Sequence, residues 1–399
     1  MATDKTFPRV SRRNWLKALL AGLGAGLALN RRAPAARAAG EDAVPETGPL
    51  TVHVARPLDA ETPVREFASF LTPTHRVFVR SHFGPPPSHI VAEPKWTLQV
   101  GGTVERAQAF SLSALRRFAP ATITAVLQCS GNGRAHHRPK VPGVQWDRGA
   151  VGNVEWTGVR LRDVLNAAGV RPESRHVQFQ GADRPVAAAV PLFIRSIPLD
   201  KALHPDTILA YAMNGRPLPL LHGAPLRVIT PGWMAESCIK WLTDVTVRED
   251  EAKGYYMQTA YRTPSPPVEP GESVQGRAMR PVEAMIVKSL IAGPAEGDRV
   301  GLAPVTIHGV AWSGEATVTH VDVSTDGGAT WRAARLVGPD LPYAWRQWQI
   351  TWQPDAAGPV TILCRATDAT GAVQPERSPW NPSGFLWNGW DRVTVTVQA

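Results

Sequence analysis

The chain has 399 residues, 43% of them hydrophobic and 19% charged, and is long enough for two domains that each bury a core. Its 37 prolines and 14 tryptophans favour a fold rich in strands and loops over a helical bundle. Residues 1–38 contribute +7 of the formal net charge of +9, from eight Lys or Arg and one Asp, so the remaining +2 gives no support to nucleic-acid binding.

The N-terminus is typical of an export signal. The pair Arg12-Arg13 precedes an apolar segment at 18–29, and an A-x-A cleavage pattern ends at Ala38. These features predict a twin-arginine signal over 1–38 and a periplasmic protein that is exported folded, often around a cofactor. The 12 apolar residues are too few to span a bilayer. An uncleaved anchor is therefore the weaker interpretation, and no stable membrane anchor is expected.

The region 39–265 alternates short strands with occasional helices. The segments "KWTLQVGGTV", "HVQFQGAD" and "PLRVITPG" have the patterns of strands that end in turns or loops. The segment "SLSALRRF" begins with a serine cap, and "VRLRDVLNAAGV" carries apolar residues at helical spacing up to Gly169. Strands mixed with single short helices favour an α+β fold.

A linker is predicted after Arg262, where "RTPSPPVEPGESVQG" is dense in Pro, Gly and Ser. Beyond it, segments such as "PVTIHGVAWSG" and "TVTHVDVSTDGGATW" alternate with period two between turn signals. Roughly seven short strands in about 120 residues predict an immunoglobulin-like β-sandwich over 280–399.

The chain has three cysteines, at 129, 238 and 364. An odd and widely spaced set argues against a disulfide framework and against a zinc ribbon. The sequence also lacks a C-x-x-C-H motif for covalent attachment of haem, so no haem is expected in this chain.

Cys129 lies in "ITAVLQCSGNGRAHHRPK", where a β-branched run ends in a glycine-rich turn and a basic cluster. Four roles are open: a buried structural thiol, a nucleophile with His136 or His137 as base, a zinc ligand, and a thiolate ligand to a soft transition metal. Nearby arginines would stabilise a thiolate, and glycines would let a bulky cofactor approach the backbone. No role is assigned to His136 or His137.

Several motifs surround this cysteine in a fixed order. They are "VFVRSHFGPP", "LQCSGNGR", "VPGVQWDRGAVGNVEWTGVRLRDVL", "LAYAMNGRPLP", "HGAPLRVITPGW", "GVAWSGEATVTHVDVSTDGGATW" and "AWRQWQ". Together they resemble the sulfite oxidase family of molybdenum enzymes over nearly all of the mature chain, most of all its bacterial periplasmic sulfite dehydrogenases. This chain has Ser130 and Gly133 where many eukaryotic members have Ala and Arg. The resemblance implies a mixed α+β molybdopterin-binding catalytic domain at 39–265, followed by an immunoglobulin-like dimerisation domain at 280–399.

The resemblance also implies roles for individual residues. In that family a cysteine binds molybdenum beside a pyranopterin dithiolene (molybdopterin), and Cys129 matches that position. Polar contacts to the cofactor's phosphate and ring are implied for Ser81, His82, Asp183, His222, Arg227 and Lys240. An oxyanion pocket is implied for Arg80, Arg134, Trp146, Tyr211 and Arg346. Arg346 would have to reach the metal from the second domain.

The implied activity is oxidation of sulfite to sulfate by oxygen-atom transfer, with electrons leaving singly to an external c-type cytochrome. A homodimer is also implied. Two alternatives stay open. One is an enzyme on the same fold that acts on sulfane sulfur, nitrate or another oxyanion. The other is an exported binding protein that has a pocket but no cofactor.

Overall fold

A computed structural model describes residues 50–399, and the predicted export signal at 1–38 lies outside them. These residues belong to one compact unit, in which an α+β part packs against a β-sandwich. In the described range, none of the helices has the length and apolar character needed to cross a membrane.

The strands of the α+β part fall within residues 50–265. In chain order they are β1 (Thr51–Ala55), β2 (Leu58–Glu61), β3 (Thr97–Gly102), β4 (Gln108–Ser111), β5 (Pro120–Gln128), β6 (Val151–Arg160), β7 (His176–Gly181), β8 (Ile194–Pro198), β9 (Ile208–Met213), β10 (Arg216–Pro217), β11 (Arg227–Ile229), β12 (Leu242–Arg248) and β13 (Arg262–Ser265).

The α-helices of this part are short. In chain order they are α1 (Ser88–Val91), α2 (Leu112–Leu115), α3 (Leu161–Ala168) and α4 (Leu199–Leu203). The Ser111 hydroxyl caps α2 by accepting a hydrogen bond from the backbone N–H of Ala114 at 3.1 Å. The helix α3 ends at Gly169, whose φ of 76° lies in the left-handed region that favours glycine. Both helix boundaries agree with the pattern in the sequence.

Two sheets organise the α+β part. One has the order β10-β9-β6-β5 with β11 also paired to β9, and the other has the order β4-β3-β12-β7-β8. The antiparallel pair β5 and β6 is in register from Pro120 opposite Val159 to Gln128 opposite Val151. This pairing fixes the end of β5, and therefore the position of the residue that follows it, Cys129.

Both ends of the expected linker belong to strands that pair with each other. The strand β13 pairs antiparallel with β14 (Ala278–Pro281), so that Arg262 lies opposite Pro281 and Ser265 lies opposite Ala278. Proline and glycine enrichment indicated a break in regular structure, and that break is the loop of this hairpin.

The sandwich contains two sheets, with the orders β15-β17-β21-β20 and β16-β23-β22-β18-β19. Its strands are β15 (Lys288–Gly293), β16 (Arg299–Val300), β17 (Val305–Trp312), β18 (Val318–Ser324), β19 (Arg332–Ala333), β20 (Arg335–Val337), β21 (Arg346–Trp352), β22 (Gly358–Asp368) and β23 (Asp391–Val397). Within residues 280–399 the sandwich has nine strands against the roughly seven expected, and three of them, β16, β19 and β20, are sheet-edge strands of only two or three residues. Between the sheets lies an apolar core that includes Trp348 and Ile362.

A mixed apolar cluster joins the two parts. Val126 of β5 and Met234 pack with Leu290 and Trp312 of the sandwich, and all four are buried. Within this contact the indole N–H of Trp312 donates a hydrogen bond of 2.7 Å to the side-chain oxygen of Gln128. Because Gln128 precedes Cys129, the sandwich helps to fix the end of β5.

We expect the substitution Trp312→Phe to lower the free energy of unfolding by about 1–3 kcal/mol, because it leaves the buried Gln128 oxygen without its donor. Urea unfolding measured by fluorescence and circular dichroism would test this. The control is Trp331→Phe, since the indole of Trp331 is half-buried and bonds only within its own turn, to the Gly328 carbonyl. Equal losses in the two variants would contradict the importance of the Gln128 contact.

Candidate active site

A cavity in the α+β part gathers most of the residues that the sequence singled out. The eight that line it are Arg80, Ser81, His82, Cys129, Asp183, His222, Arg227 and Lys240. They come from segments that are far apart in the chain, mostly loops, and line one cavity with Cys129 at the end of β5. Their convergence is what a single binding site requires.

Cys129 occupies the wall of the cavity directly after β5. Its backbone N–H donates to the Ala150 carbonyl at 3.0 Å, which continues the β5–β6 pairing by one residue. The chain then turns sharply, with the Asn132 N–H bonded to the Cys129 carbonyl at 2.9 Å. Gly133 follows with a φ of 91°, and any side chain there would collide with the ring of Trp387. This turn holds the thiol at the sheet edge and brings the basic residues after it around the cavity.

Two arginines act electrostatically on this thiol. Burial raises the pKa of Cys129, while the charges of Arg80 and Arg134 oppose that rise. Arg80 is itself held by both carboxylate oxygens of Asp59 at 3.2 Å. Burial lowers the pKa of Arg80, but Tyr261, Asp59 and Cys129 outweigh it and leave that pKa raised, so the arginine stays charged. The site therefore combines a half-buried thiol with fixed positive charge.

Arg134 lies in a nest of glycines beside the cavity rather than among the residues that line it. Its guanidinium donates to the carbonyls of Ser383 at 3.1 Å and Val144 at 3.0 Å. A side chain at Gly131 or Gly143 would come within 2.7 Å or 2.9 Å of the guanidinium nitrogens. These glycines are needed because the arginine fills the space their side chains would occupy.

The part of the cavity around Arg227 and Lys240 is cationic. Arg227 bonds to the carbonyls of His222 and Cys238, at 2.9 Å and 3.2 Å, and Lys240 bonds to that of Leu221 at 2.9 Å. Burial lowers the pKa of Arg227 to about 10 and, with Arg227 nearby, lowers that of Lys240 to about 7. Neither cation forms an ion pair with any residue in the described range. This part of the cavity therefore favours an anionic ligand.

Two further predicted residues stand beside these cations. Burial raises the pKa of the Asp183 carboxyl to about 6 against the attraction of Lys240. Burial, with Lys240 and Arg227 nearby, lowers the pKa of His222 to about 3. His222 is therefore neutral at physiological pH and can hydrogen-bond without adding charge.

His82 links the Cys129 end of the cavity to a tyrosine that the sequence did not indicate. Its Nε2 lies 2.8 Å from the hydroxyl of Tyr261. Burial and the charge of Arg80 lower the pKa of His82 well below its usual value, so the ring is neutral. Burial raises the pKa of Tyr261, which keeps the phenol protonated. The Tyr261 ring stacks on Phe385 of the second part, at 5.4 Å between centroids.

Besides Arg134, three residues predicted for the oxyanion pocket do not line the cavity. Trp146 is fully buried in the apolar cluster on which Cys129 packs, with its ring edge on His53. Tyr211 lies on β9 with the guanidinium of Arg116 over its ring at 5.3 Å. Arg346 begins β21 and pairs with Asp340 at 2.5 Å. The structure therefore does not bring Trp146, Tyr211 or Arg346 into the cavity wall, and Tyr211 and Arg346 contact other partners.

Sequence reasoning missed two residues in the cavity wall, Tyr261 and Glu236. The chain has five tyrosines, and nothing in the local pattern of "QTAYRTP" distinguishes Tyr261 from the others. Its role depends on contact with His82, which lies 179 residues earlier. Glu236 stands in "GWMAESCIKW", and its position would have been detectable only from the turn that buries it.

Comparisons with known proteins agree with this geometry. Residues 83–256 match the model of the oxidoreductase molybdopterin binding domain, and residues 279–398 match that of the Mo-co oxidoreductase dimerisation domain. Sulfite oxidase of Gallus gallus is 38% identical over 360 residues, which is 86% of this chain and 77% of that protein. The chain belongs to the sulfite oxidase family.

Two further relatives support the assignment. Sulfite oxidase of Arabidopsis thaliana is 32% identical over 377 residues, covering 87% of this chain and 94% of that protein. The crystal structure of the sulfane dehydrogenase SoxCD from Paracoccus pantotrophus superposes with a TM-score of 0.74 at 28% identity, covering 88% of each chain. The fold class expected from the sequence, an α+β molybdopterin-binding part followed by a β-sandwich, is confirmed.

The family's cofactor is molybdenum bound to molybdopterin, and the residues present fit it. Cys129 is a free thiol that reaches the cavity and can serve as the protein's ligand to the metal. The Nε of Arg227 is buried without a hydrogen-bond partner, and Arg227 and Lys240 supply the charge that a phosphate group needs. His222 and Asp183 supply polar contacts for the ring system.

We expect the substitution Lys240→Met to reduce the molybdenum content of the purified protein. It removes a charge-assisted hydrogen bond to the cofactor, which corresponds to a loss of about 1.5–3 kcal/mol in binding. Elemental analysis per mole of folded chain would measure this. The control is Arg346→Gln, which changes an arginine outside the cavity and is expected to retain the wild-type content. Normal metal content in Lys240→Met would contradict the proposed phosphate contact.

Proposed function

We propose that this chain is a periplasmic sulfite dehydrogenase, which oxidises sulfite to sulfate and passes electrons singly to an external c-type cytochrome. The observation that carries the proposal is the pair Arg80 and Arg134 placed around the thiol of Cys129. Sulfite is a small oxyanion, and two fixed guanidinium groups beside the metal ligand suit its binding. The identity with named sulfite oxidases supports the same substrate.

Cys129 would hold the molybdenum cofactor, which would supply oxygen-atom transfer and two-electron redox chemistry. The protein's own residues bind and orient the anion. Arg80, held by Asp59, keeps its charge in the wall of the cavity, and Arg134 adds a second charge beside it. Charges fixed in advance stabilise the anion as its charge distribution changes during the reaction. Tyr261, protonated and bonded to His82, can donate a hydrogen bond to the anion.

The periplasmic location is proposed from the twin-arginine pattern at 1–38. A cytochrome acceptor is proposed because c-type cytochromes are the usual soluble one-electron carriers of that compartment. A homodimer is proposed from the match of residues 279–398 to a dimerisation domain.

A second candidate substrate is sulfane sulfur. It is favoured by the structural similarity to the sulfane dehydrogenase SoxCD, whose TM-score is 0.74. The two substrates differ in charge and shape, so a substrate panel separates them.

The first test is reduction of ferricyanide by the mature protein in the presence of sulfite, with molybdenum measured on the same sample. We expect sulfite-dependent activity with about one molybdenum per chain. Thiosulfate, sulfane-sulfur compounds, and nitrate with a reduced viologen are the comparison substrates. Metal without sulfite activity would contradict the proposed substrate and leave the family assignment intact.

The second test compares two tyrosines. We expect Tyr261→Phe to lower kcat/KM for sulfite roughly tenfold or more, because it removes a hydrogen bond worth about 1.5–3 kcal/mol to a charged group. Tyr211→Phe is expected to retain wild-type kinetics, since Tyr211 lies on β9 beside Arg116. A loss in Tyr211→Phe alone would contradict the arrangement of the site.

A further inference from the structure

Glu236 is a buried carboxyl in the cavity wall without a hydrogen-bond partner. It lies in the single turn Ala235–Ser237, its residue is 5% exposed, and both carboxyl oxygens are buried and unpaired. It lines the same cavity as Cys129 and Ser130. A buried carboxyl without hydrogen bonds destabilises a protein, so this group stands ready for a partner that enters the cavity.

The surroundings of Glu236 favour the exchange of a proton. Ser130 is the residue after Cys129, and its buried hydroxyl forms no well-aligned hydrogen bond. The hydroxyl lies close enough to Glu236 to stabilise the carboxylate and so to lower the pKa of that group. Burial raises the pKa of Glu236 to about 7, while the charge of Arg195 lowers it. Tyr261, Cys129 and Cys238 also interact with this carboxyl.

A second carboxyl, that of Glu283, lies near Glu236 and is more exposed to solvent. Glu283 is close enough to raise the pKa of Glu236, and its own pKa is raised by burial. Its backbone carbonyl accepts from the N–H of Met234, two residues before Glu236. Glu283 is only half-buried, so the two carboxyls lead from the cavity toward the surface. Arg195, Glu251, Arg262 and Asp200 are the other charged groups near Glu283.

The proposed reaction requires a proton acceptor. When sulfite and water become sulfate, an S–O bond forms and both O–H bonds of the water break. Sulfur loses two electrons, which leave to the one-electron acceptor, and two protons must leave the site. Arg80 stays protonated and cannot accept one. Asp183 is the other carboxyl in the cavity wall, and it interacts with Lys240. Glu236 is the carboxyl beside Cys129 and Ser130.

We propose that the Glu236 carboxylate accepts the two protons of the water in turn, and passes each to solvent by way of Glu283 before it takes up the next. This role rests on the proposed function as a sulfite dehydrogenase. Ser130, between Cys129 and Glu236, positions the water by hydrogen bonding.

The substitution Glu236→Gln tests this role, because glutamine keeps the size of the side chain and removes the proton acceptor. The wild-type kcat is expected to fall as the pH drops below about 7, since only the carboxylate can accept a proton. In Glu236→Gln the kcat is expected to fall about 10²-fold, and this acidic limb is expected to disappear. Glu236→Asp, which keeps a carboxyl, is expected to recover part of the rate and the acidic limb.

Two further measurements separate this role from a structural one. Infrared difference spectra between acidic and alkaline pH are expected to show a buried protonated carboxyl in the wild type that titrates near pH 7 and is missing in Glu236→Gln. The control is Glu155→Gln, which alters a half-buried carboxyl on β6 outside the cavity and is expected to leave the pH profile and the infrared signal unchanged. Molybdenum is measured on every sample.

The outcomes are distinguishable. An active wild type with an unchanged pH profile in Glu236→Gln would overturn the inference and leave the proposed function standing. Loss of molybdenum in Glu236→Gln would overturn it too, because the carboxyl would then hold the cofactor. A metal-loaded wild type that ignores sulfite would contradict the proposed function, and the inference would fall with it.

Discussion

The site depends on keeping the half-buried thiol of Cys129 able to ionise. Burial raises the pKa of the thiol, and only nearby positive charge offsets that rise. Of the two arginines that supply the charge, Arg134 is buried and Arg80 is half-buried, so each needs its own support. Arg80 obtains it from the carboxylate of Asp59, whereas Arg134 obtains it from backbone carbonyls and a nest of glycines. The glycine-rich turn after Cys129 thus serves Arg134 as much as the thiol.

The same reasoning applies to the part of the cavity around Arg227 and Lys240. Arg227 is buried and Lys240 is half-buried; both cations bond to carbonyl oxygens and form no ion pair within residues 50–399. Burial lowers the pKa of Lys240 to about 7, so below that pH folding of the empty protein must bury a charge that the unfolded chain keeps in water. An anionic cofactor group bound there would supply the missing countercharge. Cofactor binding and stability are therefore coupled, as expected when a ligand binds only the folded chain.

The sequence was a good guide wherever local chemistry decides the structure. The serine cap of α2, the glycine after α3 and the period-two strands of the sandwich all follow from neighbouring residues. The eight predicted residues that line the cavity could be found because their motifs resemble a known family. Tyr261 could not, because its contacts with His82 and Phe385 join distant parts of the chain. Tyr211 and Arg346 were chosen from similar motifs, but the pairing of β9 and β21 gives both side chains other partners.

The sequence suggested that the second part of the chain reaches the site through Arg346. Other residues of that part contact the site instead. Its segment between β22 and β23 carries Ser383, Phe385 and Trp387 to the turn after Cys129. Ser383 accepts from Arg134, and Phe385 lies beneath that guanidinium at 5.3 Å while stacking on Tyr261. Arg134 and Tyr261 are thus both held by one aromatic ring of the second part. The sandwich therefore positions Arg134 and Tyr261, the groups proposed to bind the anion, whatever it also contributes to association between chains.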